Sequence, residues 1–122
     1  MSAQSFGPYS PIRKAGDTYY VSGQVGVDPE TKTASGDVSE QTRQVLENMR
    51  AVLQTESLSM NDVVKCGIFV TDIGDFAKVN AVYETFFEAP RPARSTVCVN
   101  ELPRVAGDTP ILVEIDAVAY KG

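Results

Sequence analysis

The chain has 122 residues, 43 % of them apolar and 22 % charged, which suits one globular domain over residues 1–122. A formal charge of −5 with Lys and Arg scattered along the chain argues against nucleic acid as a partner. There is no apolar run of membrane-spanning length and no signal-peptide pattern at the start, so a cytoplasmic protein with no membrane partner is expected.

Residues 8–14 and 18–25 are extended candidates separated by Ala15-Gly16-Asp17, which reads as a hairpin. Asp28-Pro29-Glu30-Thr31-Lys32 is a turn signal, and a short strand is expected before Gly36. Asp37, followed three residues later by Glu40, starts a helix in the manner of a capping box. Val38, Thr42, Val45, Leu46, Met49, Val52 and Leu53 then recur at helical spacing, with Gln41, Arg43, Gln44, Glu47 and Arg50 on the other side. That helix should fade near Ser57.

Residues 63–71 predict a strand in which Val64, Cys66, Ile68 and Val70 alternate with Val63, Lys65, Gly67 and Phe69. Asp72-Ile73-Gly74-Asp75 opens a second helix with Phe76, Val79, Val82, Tyr83 and Phe86 as its buried stripe. Ala89-Pro90-Arg91-Pro92 ends it. Strands over 94–99 and 111–119 complete the order ββ(β)αβαββ.

Two amphipathic helices cover only one face of a sheet. Phe69, Leu112, Val118 and Tyr120 fall on the other face, and an apolar face with no helix left to cover it predicts self-association. Alternation puts Arg94, Thr96 and Cys98 on one face of their strand, with Ser95, Val97 and Val99 opposite. If Val97 and Val99 join Val113 and Ile115 in the core, then Arg94 and Glu114 share the uncovered face. That pair is either an interfacial salt bridge or a site in which Arg94 grips a carboxylate and Glu114 acts as acid, base or water-orienting group.

The chain contains no His, which removes Ser-His-Asp and Cys-His nucleophile systems. Its two cysteines, Cys66 and Cys98, are too few and too far apart for a thiolate zinc site and read as reduced, buried thiols. No phosphate-loop or dinucleotide fingerprint occurs. Chemistry here would run on Arg, carboxylates, hydroxyls, backbone groups and water.

Gly7-Pro8-Tyr9-Ser10, Ser22-Gly23-Gln24, the run from Val79 to Phe87, Pro92-Ala93-Arg94-Ser95 and the run from Val113 to Ala119 occur together and in this order. On those motifs the chain resembles the RidA (YjgF-like) family of reactive intermediate deaminases, from about Gly7 to Ala119. The resemblance implies an α/β (α+β) fold like the trimeric chorismate mutases. This is a two-layer sandwich of a mixed sheet with two helices on one face, assembled as a homotrimer around a central barrel. It implies three interfacial pockets that hydrolyse enamines and imines, such as 2-aminoacrylate and 2-iminopropanoate, to a 2-keto acid and ammonia, without metal or cofactor.

By motif, Arg94 corresponds to the family's carboxylate-binding arginine and Glu114 to its acidic residue near the reacting carbon. Tyr9 corresponds to the pocket tyrosine, and Ser22 and Gly23 to the segment lining the pocket. Thr96 stands where the family often has Cys, and a change in binding there is expected. The link from Phe87 to Pro92 is short for the family and the stretch from Arg104 to Pro110 long, which implies a reshaped rim. Other roles to weigh are a non-catalytic binder of small carboxylates, a ribonuclease or translation inhibitor, and a chaperone-like protein.

Overall fold

A computed structural model describes residues 6–122; the first five residues, read above only for the lack of a signal sequence, lie outside it. The strands are β1 (Ile12–Ala15), β2 (Thr18–Val25), β3 (Val63–Val70), β4 (Ala93–Cys98) and β5 (Val113–Tyr120). The helices are α1 (Val38–Gln54) and α2 (Phe76–Tyr83). The strand expected before Gly36 is reduced to an isolated bridge between Val27 and Ala34.

Asp37 caps α1, its carboxylate accepting the Glu40 N–H at 3.0 Å. The reciprocal half of the expected box is replaced: the Asp37 N–H donates to Ser35 Oγ at 3.0 Å. At the other end Ser57 turns left-handed (φ 59°), and the Leu58 N–H returns to the Leu53 carbonyl at 3.0 Å. The apolar stripe of α1 is buried as the spacing predicts. Leu46, Met49 and Leu53 are fully buried, each contributing about 1.5–3 kcal/mol by transfer from water.

Gln41 departs from its expected place on the solvated side, being completely buried. Its amide donates to the carbonyls of Ser35 (2.7 Å) and Pro110 (2.9 Å), and its Oε1 accepts the Leu112 N–H at 2.8 Å. One side chain thus satisfies three backbone groups and clamps the approach to β5 onto α1.

The second helix is shorter than its apolar stripe suggests. A 3₁₀ turn, Ile73–Asp75, precedes it, with Asp72 accepting the Gly74 N–H at 2.8 Å. Beyond Tyr83 the N–H groups of Thr85 and Phe86 reach back only three residues, and Thr85 Oγ1 donates to the Val82 carbonyl at 2.6 Å. Hydroxyl competition of this kind tightens and ends a helix.

The sheet order is β1-β2-β5-β3-β4. The β1–β2, β2–β5 and β5–β3 pairs are antiparallel and β3–β4 is parallel, so the sheet is mixed. Both helices pack on one face, over a core that includes Ile68, Val70, Ile115, Ala117 and Ala119. Two irregularities reset the alternation read from sequence. Between Val63 and Lys65 the register slips, so Val63 is buried while Val64 is 49 % exposed. Between Val21 and Gln24 a second slip leaves Ser22 and Gly23 together opposite Asp116.

The face away from the helices is partly covered, contrary to expectation. The 99–112 segment folds over it, and Leu102, Ala106 and Ile111 form a second apolar cluster with Val25 and Val27, against which Phe69 and Val99 pack. Leu112 precedes β5, escapes its alternation and packs against the helix-side core instead. What stays open on this face includes Tyr20, Val97 and Tyr120, each about half exposed. Among the described residues no helix is long and apolar enough to cross a membrane.

Candidate functional site

The register fixes which side chains share a face. Glu114 pairs with Phe69, and Phe69 pairs with Val97, so these three lie on the face away from the helices. Arg94 pairs with Cys66, and Cys66 with Ala117, which belong to the helix face. Arg94 and Glu114 therefore do not share a face. The expectation failed with its premise, since Val97 does not join Val113 and Ile115 in the core and is instead 46 % exposed. An arginine sits on the helix side because aromatic rings receive it there. Its guanidinium carbon lies 4.9 Å from the Tyr83 ring centroid and 5.5 Å from that of Phe76, within cation–π range.

The separation is large for a small ligand. Arg94 and Glu114 are two strands apart and offset by three residues along the sheet, on the order of 10 Å in each direction.

On the helix side, β4 is an edge strand and Arg94 opens onto a cleft of about 390 Å³ lined by Asn80, Tyr83, Glu84, Arg91, Pro92 and Arg94. Among the described residues no carboxylate pairs with Arg94; the ion pairs join Arg43 to Glu40, Arg50 to Glu47 and Arg104 to Glu101. Two buried polar atoms in this region, Asn80 Oδ1 and Thr96 Oγ1, have no hydrogen-bond partner among the described residues, and Tyr83 Oη has only the Cys66 thiol beside it. Buried polar groups are ordinarily satisfied, so this grouping marks a place built for something polar. Burial, and then the neighbouring Cys66 thiol, push the Tyr83 phenol well above its ordinary range. It stays a neutral donor at physiological pH. Burial likewise pushes the Cys66 thiol up. Cys98, expected to be buried, is exposed because β4 is an edge strand, and both cysteines are free.

On the other face, Glu114 is half-buried in the middle strand. Burial, and then the adjacent Asp116 carboxylate, raise its pKa above the ordinary glutamate value. Asp116 is itself held by the Gly67 N–H at 2.9 Å. Glu114 lies across Gly23: a Cβ there would come within 2.7 Å of its carboxyl carbon. Glycine at this bulge leaves the carboxylate its space. Ser22 Oγ donates to the Ser10 carbonyl at 2.6 Å, and its N–H to the Pro11 carbonyl at 2.9 Å. Ser22 thereby ties the segment carrying Tyr9 to the bulge. Tyr9 is 47 % exposed, and its hydroxyl accepts the Phe6 N–H at 3.3 Å.

Thus Tyr9, Ser22, Gly23 and Glu114 belong to one group, and Arg94 and Thr96 to another across the sheet. The polar roles of Asn80 and Tyr83 were not foreseen; a tyrosine hydroxyl on an otherwise apolar helix stripe was the available signal. Among the described residues no group of three metal-ligating side chains occurs.

The family model described as endoribonuclease L-PSP matches residues 1–121. The chain belongs to that family, the RidA (YjgF-like) family. Its relatives include a RutC family protein of Pyrococcus horikoshii, 45 % identical over 94 % of this chain and 88 % of the relative. A 2-iminobutanoate/2-iminopropanoate deaminase of Salmonella typhimurium is 42 % identical over 96 % of this chain and 90 % of the relative. The crystal structure of Escherichia coli TdcF with bound serine superposes with a TM-score of 0.87 at 37 % identity, covering 97 % of this chain and 91 % of TdcF. The two-layer α+β fold is therefore the fold of the RidA family, and a member of that family holds a small ligand.

Proposed function

We propose that this RidA-family protein hydrolyses 2-imino acids and their enamine tautomers, such as 2-iminopropanoate and 2-aminoacrylate, to 2-keto acids and ammonia. The observation that carries this reading is Arg94, an arginine with no carboxylate partner, backed by two aromatic rings beside unpartnered polar atoms at an open cleft. A ligand carboxylate is its complement, held by charge-assisted, bidentate hydrogen bonds. Thr96 lies on the same side of β4 and borders the ligand. The deaminase name of the Salmonella relative supports the reaction class.

Because Glu114 stands on the opposite face and far along the sheet, a site that uses both residues joins two copies of the chain. Arg94 comes from one and Glu114, Gly23, Ser22 and Tyr9 from the next. The half-exposed Tyr20, Val97 and Tyr120 on the face away from the helices are suited to burial between such copies, in a homotrimer.

The chemistry needs one water. Its oxygen bonds to the imine carbon while the C=N π pair moves to nitrogen, giving a carbinolamine. The C–N bond then breaks and ammonia leaves as the carbonyl forms. Glu114 takes one proton from the attacking water and gives it to the imine nitrogen, then takes the carbinolamine hydroxyl proton and gives it to the departing amine, a relay favoured by its raised pKa. Arg94 fixes the carboxylate so that the imine carbon meets the water in a productive geometry. The Gly23 backbone allows the close approach, and Tyr9 closes the pocket.

A non-catalytic binder of small carboxylates would share the Arg94 observation. A ribonuclease fits less well, since a chain of charge −5 with scattered Lys and Arg offers no basic stripe for a nucleic-acid backbone and, without His, not the usual acid–base pair. The deciding experiment generates 2-aminoacrylate enzymatically and follows imine decay and keto-acid formation. Acceleration by the protein over the buffer rate supports the deaminase. No acceleration across several imino acids overturns it and leaves the binder.

A further inference from the structure

The Arg94 cleft holds a second guanidinium that the reaction above does not use. Arg91 lines the same cavity, three residues before Arg94 in the link between α2 and β4. Its Nε donates to the Phe87 carbonyl at 3.2 Å, which anchors the base of the guanidinium. Its two terminal nitrogens have no protein acceptor among the described residues.

Arg91 is unlike the other arginines that follow a glutamate by three residues. Arg43, Arg50 and Arg104 pair with Glu40, Glu47 and Glu101, whereas Arg91 forms no ion pair with Glu88. Glu88 and Arg91 lie in the irregular link that follows α2. Both Arg91 and Arg94 lie close enough to Tyr83 to favour its anionic form, which places two positive charges around one phenol. Two unneutralised guanidinia at one cleft, in a chain of charge −5, repel each other and draw anions. Glu84, on the same rim, opposes this but forms no ion pair with either.

We infer that Arg91 is a second anion anchor of the Arg94 cleft, so that the site prefers 2-imino and 2-keto acids carrying a second carboxylate on the side chain. Arg94 holds the carboxylate next to the reacting carbon, and Arg91 holds the distal one. A cleft of about 390 Å³ has room for a five-carbon diacid. Arg91 is a specificity-determining residue, distant from the reacting atoms. The inference rests on Arg94 as the carboxylate anchor of the proposed function, but not on turnover.

The test is equilibrium binding of 2-oxoglutarate and 2-oxobutanoate by calorimetry, at one ionic strength, to wild type, Arg91→Gln and Glu84→Gln. Wild type should bind the diacid about 10-fold tighter, the advantage expected of one partly exposed charge-assisted contact. Arg91→Gln should bring that ratio close to one, and Glu84→Gln should increase it. Equal affinities in wild type, or a ratio unmoved by Arg91→Gln, overturns the inference. The two readings fail separately. A protein that accelerates 2-iminopropanoate hydrolysis yet shows no diacid preference loses only the inference. One that binds the diacid through Arg91 but accelerates no imine loses only the deaminase.

Discussion

The two faces of the sheet solve opposite problems. On the helix face near the β4 edge, Arg94 is held by aromatic rings with no carboxylate partner among the described residues, near the unsatisfied Asn80 Oδ1 and Thr96 Oγ1. On the other face, Gly23 leaves Glu114 room, and burial, then the Asp116 carboxylate, raise its pKa. One half offers a fixed positive charge to bind with; the other offers a carboxylate poised to gain and lose a proton. Within one protomer they point away from each other. In the proposed function, binding and proton transfer are divided between these two regions, and assembly brings them together.

That division predicts different kinetic signatures. Glu114→Gln keeps shape but removes the relay, and should lower kcat by about 10²- to 10⁴-fold with little change in KM. Arg94→Ala should cost roughly 100-fold in kcat/KM, chiefly through KM, as expected for loss of a charge-assisted carboxylate contact. If both variants lost kcat and KM in the same proportion, the division of labour would be wrong. Gly23→Ala places a Cβ against the Glu114 carboxyl group and should lower kcat roughly 10-fold, the scale of a sub-ångström displacement of a reacting group. Steady-state kinetics on an enzymatically generated imino acid reads all three.

The smallest effect is on stability. The folded-state pKa of Glu114 is raised, so the folded protein holds more protons than the unfolded chain between the ordinary glutamate value and the raised one. The associated stability is fully present below the ordinary value and is lost as pH rises through the raised one. Glu114→Gln does not titrate. Its Tm relative to wild type should therefore climb as pH rises above the ordinary glutamate value. A difference that stays flat over that range would mean that Glu114 is not desolvated.

Much of the fold is legible in the residues. The spacing of Val45, Leu46, Met49, Val52 and Leu53, with Asp37 before them, specifies α1 because a single buried stripe and a cap agree. What is not legible turns on non-local partners. Alternation along β4 gives two parities but not which one faces the helices. The valines suggest one answer; the stacking of Arg94 on Tyr83 and Phe76, residues distant in sequence, dictates the other. The bulges at Ser22-Gly23 and at Val64 reset the period by one residue each, and only the pairing with β5 reveals them. Gln41 looks like a surface residue until the 99–112 segment brings Pro110 and Leu112 to it. For the candidate site, the sequence singles out Arg94 and Glu114, while their placement on opposite faces follows only from the pairing of β3 with β4 and β5.

The most direct measurement is complementation between two impaired variants. Arg94→Ala and Glu114→Gln chains are unfolded together, refolded as a mixture and assayed on 2-aminoacrylate well below KM, where each alone keeps about a hundredth or less of wild-type activity. If each site takes Arg94 from one copy and Glu114 from the next, random assembly of equal amounts restores about a quarter of wild-type activity, since half of the donors on each side are intact. Activity no higher than the average of the two variants, in a mixture shown to have exchanged subunits, would contradict the shared site.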